Sequence, residues 1–431
     1  MSNKKILLIF IFAFLIRLIA LNQSLWLDEA ITASVVRSFS FFQIITKFSP
    51  TDFHPPLYYL FMKLWTNMFG YSEIALRMPS VLFSLMTGYV VYLIGGVWAM
   101  AFFLFNPLIV YYSQEARMYM MVTFFLTVAL YYFLKNNKQI LFGLFISLAF
   151  LTFYGSIFLI VSFLIYSLYK KNYKFFILNT FYLILTTLIV SPLLYSQLIN
   201  SKVALSQATN WSLVLGKANL KNLFLIPIKF SIGRISFYPK WLYWGIAGTW
   251  TVFVLRTVLL RTVLTKTVLY LLIFPLLLGF FVSFFTPMLQ YFRFIYLIPI
   301  VCLILGFSLS GRAKYNLGGY ATVGGFFIFS MIYLLLPQFH REDWKSLVKS
   351  LPKNVPVYMI LSSSDPVKYY SQSSNVLTLE SSKDSKQKEI IIIPYTADIY
   401  GLDYKTLLSK NGYQLKKEVS FREVTYERWA K

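Results

Sequence analysis

From Ile6 to Leu335 the chain is a succession of long apolar runs separated by short basic turns. The runs fall at about 6–22, 76–95, 97–112, 118–134, 139–154, 156–169, 175–195, 241–255, 267–285, 295–310 and 317–337. An uncharged apolar run of ~17 residues or more is long enough to cross a bilayer as a helix. The pattern therefore predicts an all-α polytopic membrane protein with about eleven transmembrane helices. A transmembrane β-barrel would alternate in ~10-residue segments instead, and no such alternation occurs. Only 13% of the residues are charged, against roughly 25% in a soluble domain.

The net charge of +24 is not a nucleic-acid footprint, because Lys and Arg sit at the ends of the apolar runs, where they orient helices. Lys4 and Lys5 precede a run to Leu21 that looks like a signal peptide. Arg17 interrupts that run and no small-x-small cleavage site follows, so it reads as an uncleaved first span. With the N-terminus cytoplasmic, the loops on that side carry Lys4 and Lys5; Lys135 and Lys138; Lys170, Lys171 and Lys174; Arg256, Arg261 and Lys266; Arg312 and Lys314. The turn at Gly95-Gly96 has no charge, so the second and third spans form a tight, weakly oriented hairpin. Arg256–Tyr270 repeats as RTVLL, RTVLT, KTVLY; a period of five spirals its cations around a helix, which reads as a positively biased helix end.

The outer face then receives three pieces: a loop from Asn22 to Arg77, a basic loop from Ser196 to Lys240, and everything after His340. The tail carries 15 Lys and Arg against 11 Asp and Glu, the balance of a soluble domain. Its short β-branched runs alternate with amphipathic segments and end in a hairpin pattern from YQLKKEVSF to EVTYERW. We expect a transmembrane domain over 1–340, with interfacial helices in its first outer loop, and a small extracytoplasmic α/β domain over 341–431.

Chemistry has few places to go. The first 340 residues hold five acidic side chains, Asp28, Glu29, Asp52, Glu73 and Glu115. A carboxylate near lipid is costly and marks a pathway or a catalytic site. Asp28 and Glu29 follow the first span; one reading makes Asp28 a helix N-cap with Glu29 in the first turn, the other makes it a general base at the membrane surface. Asp52 and His54 stand before two prolines that fix a rigid turn. Glu115 and Arg117 are two apart, so on a helix they point to different partners. Arg293 stands alone between two spans; snorkelling explains it, and a guanidinium fork also suits phosphate. Acid for proton abstraction and cations for phosphate are what sugar transfer from a lipid phosphate to a hydroxyl needs. Cys302 is alone in an apolar run, which excludes thiol metal sites, and His54 and His340 are too few for a His-rich one. No cofactor is read from the sequence; a divalent cation at the carboxylates stays open.

Four segments carry a resemblance: Leu25–Ala30 (LWLDEA), Phe53–Tyr59 (FHPPLYY), Ala75–Ser80 (ALRMPS) and Tyr111–Tyr119 (YYSQEARMY). In order and spacing, over roughly the first 125 residues, they resemble the bacterial protein O-mannosyltransferase-like glycosyltransferases, family 39-like, of the polytopic membrane class called GT-C. That class includes the lipid A aminoarabinose transferase. Arg293 before Pro299 and the Arg341–Lys345 segment also look like the family, while the intervening spans match only in hydropathy. One departure is the Gly95-Gly96 turn, where the family is usually basic.

The resemblance implies a polyprenyl-phosphate-linked sugar donor and an inverting transfer on the extracytoplasmic side of the plasma membrane. The acceptor hydroxyl belongs to a protein, a glycan or a lipid. It implies Asp28 as catalytic base and Glu115 as the second acidic residue. Glu29, Asp52, His54, Arg77, Arg117, Tyr119 and Arg293 are the implied substrate contacts. The competing class is a transporter or lipid flippase, which would place its charges near the midplane in broken helices. A non-catalytic scaffold presenting the tail leaves the acidic outer loop unexplained.

Overall fold

The computed structural model describes residues 3–208, 210, 215–259, 266–309, 317–371 and 376–431. The middle of the pentapeptide repeat, with Arg261, and the loop with Arg312 and Lys314 lie outside the described residues.

Every apolar run carries helix. Four helices are long and apolar enough to cross a membrane: Glu73–Phe105, Tyr173–Ser206, Tyr291–Leu309 and Leu317–Leu335. Shorter apolar helices occupy Tyr119–Lys135, Gln139–Thr152, Tyr154–Tyr169 and Lys266–Val282. Asn3–Leu18 and Lys240–Leu259 are helical as well. The long loop after the first helix holds the helices Leu27–Ser38 and Leu57–Phe69, where interfacial helices were expected.

Glu73–Phe105 is a hairpin rather than one rod. Gly96 adopts φ 72° and ψ −166°, and a Cβ placed on Gly88 would lie 2.5 Å from Leu104 Cδ2. In a straight helix, sixteen residues span about 24 Å, so the chain must turn back at Gly96. A positive φ costs glycine little, which is why an uncharged Gly-Gly pair suffices for the turn. Arg17, fully buried in the first helix, staples both arms: Nε donates to Ser84 Oγ at 3.0 Å and Nη2 to the Leu104 carbonyl at 2.9 Å. Its Nη1 donates to the Ala13 carbonyl, so the guanidinium is satisfied by oxygens without a carboxylate partner among the described residues.

Three of the basic turns come together among the described residues. Asn172 Nδ2 donates to Asn136 Oδ1 at 3.3 Å, and Ile94, Lys135, Val268 and Phe307 line one small cavity there. None of the five carboxylates of residues 1–340 takes part in these contacts; their partners lie in the loop after the first helix, the Tyr111–Tyr119 segment and the tail.

Beyond His340 the chain forms a five-stranded sheet in the order β2-β1-β3-β5-β4, with β1 Val357–Met359, β2 Val376–Thr378, β3 Glu389–Ile393, β4 Gln414–Phe421 and β5 Val424–Ala430. β1 pairs in parallel with β2 and β3, while β5 pairs antiparallel with β3 and β4, the last being the hairpin read from the sequence. Ile390 and Ile392 face a core with Tyr404, Leu408, Tyr413 and Trp429; Ile391 and Ile393 face another with Trp344, Leu347, Val367 and Tyr426. Burial on both faces explains why β3 is a continuous apolar run.

The sheet region docks on the first outer loop. Leu25 N–H donates to Tyr370 Oη at 2.8 Å, Tyr369 Oη to the Tyr71 carbonyl at 2.7 Å, and Lys345 N–H to Ser24 Oγ at 3.1 Å. Lys345 also pairs with Glu73 at 3.1 Å. The site sits under this contact.

Candidate active site

The two neighbouring carboxylates of the first loop have different surroundings. Trp26, in extended conformation, precedes the Leu27–Ser38 helix, so Asp28 is its second residue and not its N-cap, in contrast to the capping reading. Glu29 then points inward. Arg77 grips it with Nε to Oε1 at 2.8 Å and Nη2 to Oε2 at 2.6 Å, and the Ala116 N–H donates to Oε1 at 2.7 Å. The remaining Arg77 donors go to the carbonyls of Leu21, Gln23 and Ser24. Both side chains are essentially inaccessible, at 1% and 0%. Glu29 and Arg77, expected to touch substrate, are turned to one another and tie the first loop to the Tyr111–Tyr119 segment.

Asp28 faces the other way. Its Oδ2 lies 3.3 Å from Arg117 Nη2, and its side chain is 31% exposed, the most open of the five carboxylates. Arg117 is buried, and its Nε has no hydrogen-bond partner among the described residues. Glu115, two residues earlier, reaches a different partner, although both stand in the bend between the helices Pro107–Ser113 and Tyr119–Lys135 and not on a helix: Arg341 donates to its Oε1 from Nε at 3.0 Å and from Nη2 at 2.8 Å. The backbone of Glu115 is held by Ser80 Oγ, which donates to its carbonyl at 2.5 Å.

Asp52 and His54 sit beside this group on the rigid turn, His54 Nδ1 at 3.4 Å from Asp52 Oδ1. The turn is clamped from outside by Gln197, whose Nε2 donates to the carbonyls of Ser49 and His54. Burial opposes ionisation of Asp52, but His54 and Arg117 outweigh it and hold its carboxyl below the usual range. The His54 ring stacks 6.4 Å from Phe153, Phe153 lies 6.1 Å from Tyr119, and Tyr119 lies 5.9 Å from Phe292, next to Arg293. Arg293 is half-buried and makes no ion pair among the described residues.

Two cations join the site that the sequence reading left out. Arg341, from the start of the tail, lies 3.8 Å over the Trp26 ring and 5.5 Å from Tyr111. Arg234, from the basic second loop, donates to Tyr111 Oη and lies 5.1 Å from that ring. Only an odd cation inside family-like or basic segments hinted at them. Among the described residues no group of three or more His, Cys, Asp or Glu is arranged to hold a metal ion.

The comparison with solved structures finds two matches along the whole chain. ArnT from Cupriavidus metallidurans bound to undecaprenyl phosphate superposes with a TM-score of 0.58, and its apo form with 0.62. In both, identity is 12%, and 99% of this chain and 98% of that chain are covered. No protein-family model matches the sequence, and no curated protein does. At that identity the likeness is one of fold, which extends from the bundle through the C-terminal sheet: this chain has the ArnT fold over its full length.

Proposed function

We propose that the protein is an integral-membrane glycosyltransferase that moves a sugar from a polyprenyl-phosphate donor to a hydroxyl acceptor on the extracytoplasmic side. The observation that carries this reading is Asp28: an accessible carboxylate, paired with Arg117 at 3.3 Å, near further arginines of the loops and the tail in a chain with the ArnT fold. The donor class is supported by the neighbour, whose structure holds undecaprenyl phosphate.

Asp28 takes the proton of the acceptor hydroxyl as that oxygen bonds to the anomeric carbon from the face opposite the phosphate. The anomeric C–O bond breaks, and its electron pair leaves on the phosphate, so the configuration inverts. The departing phosphate is already a stable anion and needs cations rather than a general acid. Arg293 and Arg234 face that charge, because neither has a carboxylate partner among the described residues. Arg117 orients Asp28 through their 3.3 Å contact, and Asp52 and His54 lie beside it. Buried polar atoms with no partner among the described residues, at Trp26, Asp52, Tyr58, Glu115 and Arg117, offer hydrogen bonds to sugar hydroxyls. Glu29 and Arg77 position this machinery from behind. In this reading the N-terminus and basic turns are cytoplasmic and the sheet region lies outside. A transporter would keep its charges near the midplane, whereas these lie at helix ends and in loops.

The test is to supply membranes containing the protein with a panel of hexosyl- and pentosyl-polyprenyl phosphates and to measure free polyprenyl phosphate. Release that depends on the protein and on an added acceptor is expected. Movement of intact donor across the bilayer, with no cleavage of any panel member, contradicts the reading.

A further inference from the structure

We propose that Arg341 is a positioning residue of the active site, through which the C-terminal region fixes the Glu115 carboxylate and makes its own docking a condition of turnover. The inference rests on the glycosyl-transfer reading above.

Arg341 places two N–H groups on a single oxygen, Glu115 Oε1, at 3.0 and 2.8 Å. The other oxygen, Oε2, is buried without a partner among the described residues. A carboxylate held through one oxygen presents the second in a fixed direction, which suits a hydrogen-bond acceptor for a substrate hydroxyl. The same guanidinium stacks on Trp26, two residues before Asp28, at 3.8 Å, an attraction that strengthens where water is excluded. One side chain thus touches two of the three acidic segments of the site.

Arg341 is itself held from the tail. Arg422 Nε donates to the Arg341 carbonyl at 2.7 Å, and the Asp343 N–H donates to the Arg422 carbonyl at 3.0 Å. Arg422 stands in the turn between β4 and β5, so the hairpin, the Arg341 backbone and Glu115 are linked in series. Among the described residues Glu115 has no other cation bonded to it, since Arg117 is committed to Asp28. Docking alone does not need Arg341. Tyr369, Tyr370 and Lys345 already join the sheet region to Tyr71, Leu25, Ser24 and Glu73 by contacts outside this pair. The Arg341 contact carries this docking into the site.

Arg341→Ala in the full chain should keep its fold and its binding of undecaprenyl phosphate while donor cleavage falls at least tenfold. Free guanidinium at a non-denaturing concentration should restore part of the rate, ammonium should not, and Arg341→Lys should be intermediate. Combined with Glu115→Gln, Arg341→Ala should add little further loss, because both act through one carboxylate. Arg422→Ala, which leaves the pair in place, should lower the rate in the same direction by less, and it serves as the probe if Arg341→Ala does not fold. Parent-level turnover in folded Arg341→Ala, or a loss that guanidinium leaves untouched and that adds in full to Glu115→Gln, overturns the inference. A parent chain that cleaves no donor overturns the transfer reading, and this inference with it.

Discussion

Arg77 closes on Glu29 through two hydrogen bonds of 2.8 and 2.6 Å, while Asp28, the next residue back, stays open to the site. In the proposed function, two adjacent carboxylates thus divide into a structural and a chemical role. The division follows from the helix: consecutive side chains point about 100° apart, and only one of them can face the Arg77 side.

That division has a direct consequence for stability. Removing one partner of an enclosed, fully hydrogen-bonded ion pair leaves a buried charge, at a cost of about 3–5 kcal/mol. Arg77→Ala and Glu29→Gln should thus lower the thermal midpoint and the yield of folded protein in detergent by much more than Asp28→Asn. An Arg77→Ala protein that melts with the parent contradicts the structural role.

Topology can be read with single cysteines at exposed positions. Thr51, in the first outer loop, and Gln387, in the tail, should react with a membrane-impermeant maleimide added to intact cells. Asn137, in a basic turn at the opposite end, should react only after permeabilisation, and the native Cys302 is buried and gives no background. Labelling at Asn137 from outside reverses the orientation.

Arg293 should contribute through charge-assisted hydrogen bonds to the donor phosphate. Losing one or two of them in Arg293→Ala should reduce donor turnover by roughly ten- to a hundredfold, and Arg293→Lys, which keeps charge without the fork, should fall between. Unchanged turnover in Arg293→Ala at normal expression removes it from the phosphate site.

Lys229 offers a test by pH. Burial, with Arg234 and Lys240 nearby, pulls its ammonium down to about 8 from 10.5. Below that value the folded state bears the full cost of a buried charge. As pH rises from about 8 toward 10.5, the folded chain releases this proton before the unfolded chain does, so stability rises. Lys229→Met should accordingly melt above the parent at pH 7, by a margin that narrows by pH 9.5. A margin independent of pH refutes the shift.

Much of this was legible in the chain because local chemistry decides it. The Gly95-Gly96 turn, the helices in the apolar runs and the final hairpin follow from residue types a few positions apart. Glu115 and Arg117 do take separate partners as expected, but from a bend between two helices and not from a helix. What was not legible depends on contacts far apart in sequence. Arg341 meets Glu115 across 226 positions, and Arg234 meets Tyr111 across 123. Nothing local distinguishes Glu29 from Asp28 until Arg77 arrives from 48 residues away. Of the two readings of Asp28, capping fails for a related reason: Asp is a favourable cap by type, but here the chain takes Trp26 as the last extended residue.

The most direct measurement is turnover by Asp28→Asn. The change is nearly isosteric and removes one carboxylate from the first helical turn, for a stability cost of about 0.3–1 kcal/mol. A positioned general base is worth 10²–10⁴-fold in rate, or about 3–5 kcal/mol of barrier. The folded variant should bind undecaprenyl phosphate like the parent and cleave the sugar-charged donor at least a hundredfold more slowly. An Asp28→Asn protein that transfers sugar at near the parent rate would show that Asp28 is not the base.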